Sequence, residues 1–157
     1  MQQKQYIDNS LKKSLRDPLV VAALVAAPVF WLVLYFISPP IANRGWLLAA
    51  PLWYLKLVLL YPVLEELVFR GLVQSEIFRF LKNIKLGPIS LANISASAVF
   101  SGFHLLNHGA VWAALVFIPS LLFGHLKEKY HSLKQPIFIH VYFNAGYFII
   151  FPPVSIF

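Results

Sequence analysis

Long apolar runs alternate with short basic segments along the whole chain. No Asp, Glu, Lys or Arg occurs in residues 18–43, 86–126 or 135–157. A helix that crosses a bilayer needs about 20 mostly apolar residues, and the run at 86–126 is long enough for two such helices. The pattern therefore predicts an all-α polytopic membrane protein with about five spans, near residues 19–38, 51–74, 89–106, 110–126 and 135–157.

The segment 75–85 has a different pattern. Its apolar residues recur at helical spacing, and the basic residues Arg79, Lys82 and Lys85 occupy other positions. This arrangement is typical of a helix that lies in the plane of an anionic membrane surface. We therefore expect an in-plane amphipathic helix here, ended by Gly87 and Pro88.

The basic segments also predict an orientation. Lys and Arg are concentrated in the N-terminal segment, in residues 75–87 and in residues 127–134, and alternation over five spans places all three on one side. The positive-inside rule makes that side cytoplasmic. The expected location is the cell (inner) membrane, crossed several times, with the N-terminus in the cytoplasm and the C-terminus on the opposite side.

Composition narrows the class of protein further. The chain has 157 residues, of which 59% are hydrophobic and 12% charged, whereas soluble domains average about 25% charged residues. The net charge of +7 lies in segments between apolar runs, which indicates a bilayer partner and no nucleic acid. With no cysteine, thiol catalysis and Cys-ligated metals are excluded. We expect one integral-membrane domain over residues 1–157.

Two adjacent carboxylates, Glu65 and Glu66, interrupt an apolar stretch of the second predicted span. A charge at this depth costs roughly 2.5–3.5 kcal/mol on insertion scales. Arg70 is four residues after Glu66, so these two side chains share a helix face and can pair. Glu65 is about 140° around the axis from Arg70 and is expected to point elsewhere, without a partner, as suits a general base. An ordinary ion pair at a helix end is the simpler alternative.

Two later apolar segments present further polar groups. His104 lies four residues after Phe100, and Asn144 lies four residues after His140, so each pair shares a helix face. A lone histidine in such a segment is usually an interhelical hydrogen bonder. Together, however, one carboxylate, two imidazoles and one amide supply a base, a water-orienting group and two hydrogen-bond donors, which are the groups needed to hydrolyse an amide through an oxyanion.

These three motifs, Glu-Glu-x-x-x-Arg, Phe-x-x-x-His and His-x-x-x-Asn in this order, resemble those of the CPBP family of CAAX proteases and bacteriocin-processing (Abi) intramembrane endopeptidases. The resemblance covers about residues 60–146. It implies that Glu65 is the general base and that His104 helps to hold the water. His140 and Asn144 would form the oxyanion hole, with Glu66, Arg70 and Phe100 supporting the site.

The same resemblance implies an all-helical, glutamic-type hydrolase without a catalytic metal or other cofactor. Its partner would be a peptide or protein substrate, cut near the membrane in a C-terminal, membrane-anchored or lipidated segment. The chain is shorter than the larger family members, which commonly have about eight spans. In this it resembles the short proteases that are paired with C-terminal sorting tails in bacteria.

Two other functions are consistent with the residues. A zinc-dependent membrane protease could use two histidines and a glutamate as ligands, although no His-Glu-x-x-His pair occurs; loss of activity on chelation would identify it. A non-catalytic immunity or transport subunit could use the buried charges for packing or proton binding. Retained function after Glu65→Gln would indicate the latter.

Overall fold

The computed structural model describes residues 16–38, 45–82, 84–106 and 108–153. Cα packing divides the chain into two units, Met1–Leu59 with Val141–Phe157, and Leu60–His140. Each unit is treated separately below, and the single domain expected over residues 1–157 stays a prediction.

The first unit begins with α1, Pro18–Ile37. The side chain of Asp17 caps this helix by accepting a hydrogen bond from Leu19 N at 3.0 Å, and Pro18 suits the first helical position because its missing N–H would have no partner there. The next elements of the unit are α2 (Trp46–Ala49) and α3 (Pro51–Leu55). The unit also contains residues 56–59 of the π-helical segment π1 (Lys56–Leu60) and residues 141–150 of α8 (Lys134–Ile150).

Contacts with the end of α8 hold the first unit together. A Cβ at Gly146 would lie 2.1 Å from the indole ring of Trp31, so only glycine lets this ring lie against the helix backbone. Tyr142 donates through its hydroxyl to Leu24 O at 3.1 Å and packs on Trp31 with ring centroids 5.5 Å apart. α1 and α8 therefore meet through a glycine and two aromatic side chains.

The second unit begins within a long helical stretch, since every residue from 51 to 81 is helical. After π1 follow α4 (Tyr61–Glu65), the π-helical segment π2 (Glu66–Val73) and α5 (Gln74–Leu81). α5 covers most of the amphipathic helix expected at 75–85 and continues directly from π2; its placement in the plane of the membrane stays a prediction. The helix ends at Leu81, four residues earlier than expected, and the next residue, Lys82, has φ +50°.

A short hairpin replaces the rest of that expected helix. Strands β1 (Lys85–Leu86) and β2 (Ile89–Ser90) pair antiparallel, with Leu86 opposite Ile89. Gly87 turns the chain with φ +62°, a conformation that glycine adopts without steric cost. The Ser90 hydroxyl then accepts a hydrogen bond from Asn93 N at 2.9 Å, which caps the following helix.

Three helices follow among the described residues: α6 (Leu91–His104), α7 (Ala110–Tyr130) and α8, of which residues 134–140 belong to the second unit. The prediction of a helical protein is confirmed, apart from the small hairpin. Among the described residues, α1 and α7 alone are long and apolar enough to cross a membrane by length and composition. The number of five spans stays a prediction.

Candidate active site

The Glu66–Arg70 pair is present and fully buried. Arg70 Nε lies 3.3 Å from Glu66 Oε2, and both side chains are 0% exposed. The four-residue spacing thus pairs these side chains as predicted, although they lie in the π-helical segment π2 and the prediction assumed α-helical geometry. Single π-helical turns within α-helices occur frequently at functional sites.

Arg70 also connects π2 to the two following helices. Its guanidinium donates to the hydroxyls of Ser97 on α6, at 3.3 Å, and Ser120 on α7, at 2.5 Å. The same group lies over the ring of Phe100, 5.6 Å from its centroid, in a cation–π contact. Three polar partners and one aromatic face therefore fix the orientation of this buried cation.

His140 lies between the two carboxylates. Its Nδ1 is 2.9 Å from Glu66 Oε1, and its Nε2 is 3.5 Å from Glu65 Oε2. The imidazole stacks on Phe123 with a centroid distance of 4.7 Å and an interplanar angle of 20°. Glu65 is thus not the unpartnered carboxylate expected from its position on its own helix, because α8 brings a histidine to it.

The two glutamates differ in their access to solvent. The Glu65 side chain is 33% exposed, whereas that of Glu66 is 0% exposed and has both oxygens in contact with partners. Of the two carboxylates, Glu65 is therefore the one that a water molecule or a substrate can reach.

Phe100 connects the two histidines of the motifs. Its buried ring lies 4.7 Å from the ring of His104 and 6.1 Å from that of His140, measured between centroids. The Nδ1 of His104 is 3.0 Å from Phe100 O. A carbonyl can only accept, so Nδ1 carries the proton, and Nε2 is the acceptor nitrogen of the neutral ring. Both histidines border the same aromatic side chain although they come from different helices.

Sequence reasoning assigned no role to His108, which stacks against His104 at a centroid distance of 6.0 Å. Burial first, and then the neighbouring His104, lower the pKa of His108. At neutral pH this favours an uncharged ring beside the candidate water-holding histidine. The four-residue spacing from His104 is the signal that could have identified this contact.

Asn144 belongs to the first unit. Its side-chain Nδ2 donates to Leu57 O in π1 at 3.0 Å. A π-helical carbonyl bonds to the N–H five residues later, and the residue five positions after Leu57 is Pro62, which has no N–H. Asn144 therefore satisfies a backbone carbonyl in the first unit. A carboxamide has two N–H donors, and this bond uses one of them.

A polar layer that sequence reasoning did not identify supports the site. The side chain of Asn93 donates to Leu121 O at 2.9 Å and accepts from Ser97 at 3.2 Å. A Cβ at Gly124 would lie 1.9 Å from Asn93 Oδ1, so this glycine makes room for the amide. The spacing of Asn93 and Ser97, four residues apart on one helix, is the signal that could have indicated this layer.

Among the described residues there is no group of three or more His, Asp or Glu side chains that could hold a metal ion. The zinc-dependent alternative would need three protein ligands and an open position for water. Its ligand set is not assembled in this part of the chain.

Comparison with known families identifies the family of the chain. The family model of Rce1-like type II CAAX prenyl endopeptidases matches residues 24–146, which include all three motifs. The chain belongs to this family, and hence to the membrane-embedded CAAX proteases, which are hydrolases. No curated protein and no solved structure gave a match.

Proposed function

We propose that the protein is a glutamic-type intramembrane endopeptidase that hydrolyses a peptide bond near the membrane, with Glu65 as the general base. One observation carries this proposal. A partly exposed carboxylate lies 3.5 Å from a histidine whose other nitrogen is held by a buried carboxylate. This arrangement gives an accessible base beside a fixed hydrogen-bond donor, as acyl transfer requires.

Glu65 is the base because it is the accessible carboxylate. Glu66 already accepts from Arg70 and from His140, so a proton from water would have to displace one of these partners. Glu65 takes the proton of the attacking water and later returns a proton to the leaving amine. A base in this position typically contributes roughly 100- to 10,000-fold in rate.

His104 helps to hold the attacking water. Its Nδ1 donates to the backbone, so its Nε2 can accept one O–H of the water while Glu65 accepts the other. Two acceptors would then orient the oxygen lone pair of the water toward the substrate carbonyl.

His140 and Asn144 would donate to the oxyanion. They lie four residues apart on α8, and each side chain has an N–H donor suited to a developing negative charge. The donor of Asn144 would be the second N–H of its amide, because the first is bonded to Leu57 O. The site would need no metal or other cofactor.

The substrate would be a peptide or protein segment presented at the bilayer. A C-terminal sorting tail or a lipidated segment fits a base carried by a helix of a membrane-embedded protein, since both keep the scissile bond close to the lipid. The protein would be a multi-pass component of the cell (inner) membrane, with its N-terminus in the cytoplasm.

Glu65→Gln tests the proposal. The change is isosteric and removes the base, so turnover should fall roughly 100- to 10,000-fold while the yield of monodisperse protein is unchanged. Purified wild-type and variant proteins would be incubated with membrane-anchored peptides from the C-termini of proteins encoded nearby, and the products identified by mass spectrometry. Glu76→Gln is the matched control, because Glu76 is exposed and pairs with Arg79 at 2.8 Å in the same helical stretch.

Normal cleavage by Glu65→Gln protein would contradict the assignment of the base. Loss of wild-type cleavage on addition of a chelator, with recovery on addition of zinc, would instead favour the metal-dependent alternative. Wild-type function in cells that survives Glu65→Gln would favour a non-catalytic subunit.

A further inference from the structure

Glu66 contacts more than its arginine. Its Oε2 accepts from Arg70 Nε at 3.3 Å, and its Oε1 lies 2.9 Å from His140 Nδ1. The side chain is 0% exposed, so these two groups, and not water, compensate its negative charge. A carboxylate needed only to neutralise Arg70 would not require a second hydrogen bond from a histidine 74 positions along the chain.

The 2.9 Å contact between Glu66 Oε1 and His140 Nδ1 determines which nitrogen of His140 carries a proton. An ionised carboxylate can only accept, so Nδ1 donates to Glu66, and Nε2 is the nitrogen that faces Glu65. Phe123 stacks on the imidazole at 4.7 Å and Phe100 meets it edge-on at 6.1 Å. A flipped ring would direct a C–H group at Glu66 and lose the hydrogen bond.

A charge count leaves room for a second proton. The cluster contains two carboxylates, Glu65 and Glu66, one guanidinium, Arg70, and one imidazole, His140. Buried charge is costly unless it is compensated, and the cluster is neutral overall when one further proton lies between His140 Nε2 and Glu65 Oε2, which are 3.5 Å apart. Placed on Nε2, that proton points to Glu65 at rest.

We propose that Glu66 is a positioning residue that holds His140 with its Nε2–H directed at the catalytic carboxylate and the developing oxyanion. The inference rests on the proposed function and extends it. If Nδ1–H is committed to Glu66, His140 can serve the oxyanion only through Nε2. Glu66 therefore contributes to the reaction without touching the substrate.

The step balances with the groups named. As water attacks, one of its O–H bonds breaks, the proton passes to Glu65, and the new C–O bond moves the carbonyl electron pair onto oxygen. Glu65, now neutral, no longer competes for the Nε2–H of His140, which donates to the oxyanion. When the C=O bond re-forms, the C–N bond breaks and the amine leaves with the proton from Glu65.

The wild-type protein itself provides the first test. In protein labelled with ¹⁵N-histidine and held in detergent micelles, His140 should give an Nδ1-bound proton shifted downfield by its bond to a carboxylate. His140→Gln assigns the signal by its disappearance. A folded wild-type protein in which Nδ1 of His140 carries no proton overturns the inference, whether or not any variant folds.

Glu66→Asp tests the effect on the reaction. Aspartate keeps the charge next to Arg70 but is one methylene shorter, so its carboxylate draws back from Nδ1. We expect the downfield signal to be lost and kcat to fall roughly 10- to 100-fold, the loss that follows when a partner that orients a metal-bound histidine is removed, while KM changes less than about twofold. Glu76→Asp, in the exposed pair with Arg79, is the matched control and should change neither.

The outcomes separate this inference from the function it rests on. If folded Glu66→Asp protein keeps the wild-type signal and kcat, or changes KM alone, Glu66 does not position His140. If the wild-type protein shows the Glu66-dependent signal but cleaves no substrate peptide, the hydrogen-bond geometry is supported, and the proposed function is the part that fails.

Discussion

The residues that define the site are charged groups buried in an otherwise apolar chain. Glu66 and Arg70 are 0% exposed, and each has partners besides the other: His140 for the carboxylate, Ser97 and Ser120 for the guanidinium. Replacing such a pair by apolar residues can be neutral, but removal of one member leaves an uncompensated buried charge. Removal of either member should therefore destabilise the protein much more than removal of one member of an exposed pair does.

Arg70→Ala should destabilise the protein by about 3–5 kcal/mol, because Glu66 loses its cation and two serine hydroxyls lose their donor. The effect would be measured as a lower yield of monodisperse protein and a lower Tm in detergent. Arg79→Ala is the control, since the Arg79 side chain is 74% exposed in its pair with Glu76 and such helix pairs contribute only about 0.3–0.5 kcal/mol. Equal losses for the two variants would contradict the structural role given to Arg70.

At the scale of elements, the site depends on two departures from regular α-helix and on close contact between α6 and α7. π1 ends two residues before Pro62, whose ring nitrogen cannot donate to a preceding carbonyl. π2 contains both Glu66 and Arg70. The contact between α6 and α7 depends on Gly124, because the side chain of Asn93 occupies the space that any Cβ at this position would take.

Gly124→Ala should therefore destabilise the protein by about 1–3 kcal/mol, the usual cost of overpacking. The new methyl group must displace Asn93, which would lose its bonds to Leu121 O and to Ser97. Gly102→Ala is the matched control: a Cβ there meets nothing within 4 Å, and alanine is favoured over glycine within a helix by roughly 0.5–1 kcal/mol. Thermal unfolding in detergent measures both changes. A neutral Gly124→Ala variant would show that Asn93 has another position available to it.

At the scale of the whole molecule, membership of the family and two long apolar helices agree on a membrane-embedded protein. The basic residues at the end of α7, Lys127 and Lys129, belong to one of the three basic segments that predict the orientation. The predicted path of the chain across the membrane rests on that charge pattern together with the predicted number of spans.

Reporter fusions at residues 1 and 157 should report opposite sides of the membrane, with the N-terminus in the cytoplasm. The expectation follows from an odd number of spans and from the positive-inside rule. A third fusion in the loop 131–133, within the basic segment 127–134, should report the cytoplasmic side and serves as the internal control. Termini on the same side would contradict the five-span arrangement.

The local features of this protein were determined by its sequence. Spacing of four residues predicted the pair of Glu66 with Arg70, because both residues lie on one continuous helical segment and no other part of the chain is needed to bring them together. The apolar runs predicted the helices but not the hairpin of β1 and β2, where Gly87 turns the chain with positive φ after Lys82 has ended the preceding helix. The three motifs and their order indicated the family that the comparison identified.

The contacts between distant segments were decided only by the tertiary structure. The placement of His140 between Glu65 and Glu66, the serines on Arg70 and the fit of Asn93 against Gly124 join residues between 27 and 75 positions apart. Periodicity shows which residues share a face of one helix, but it does not show which face of another helix meets them. For that reason the sequence predicted a carboxylate without a partner at Glu65, where the packing of α8 supplies a histidine.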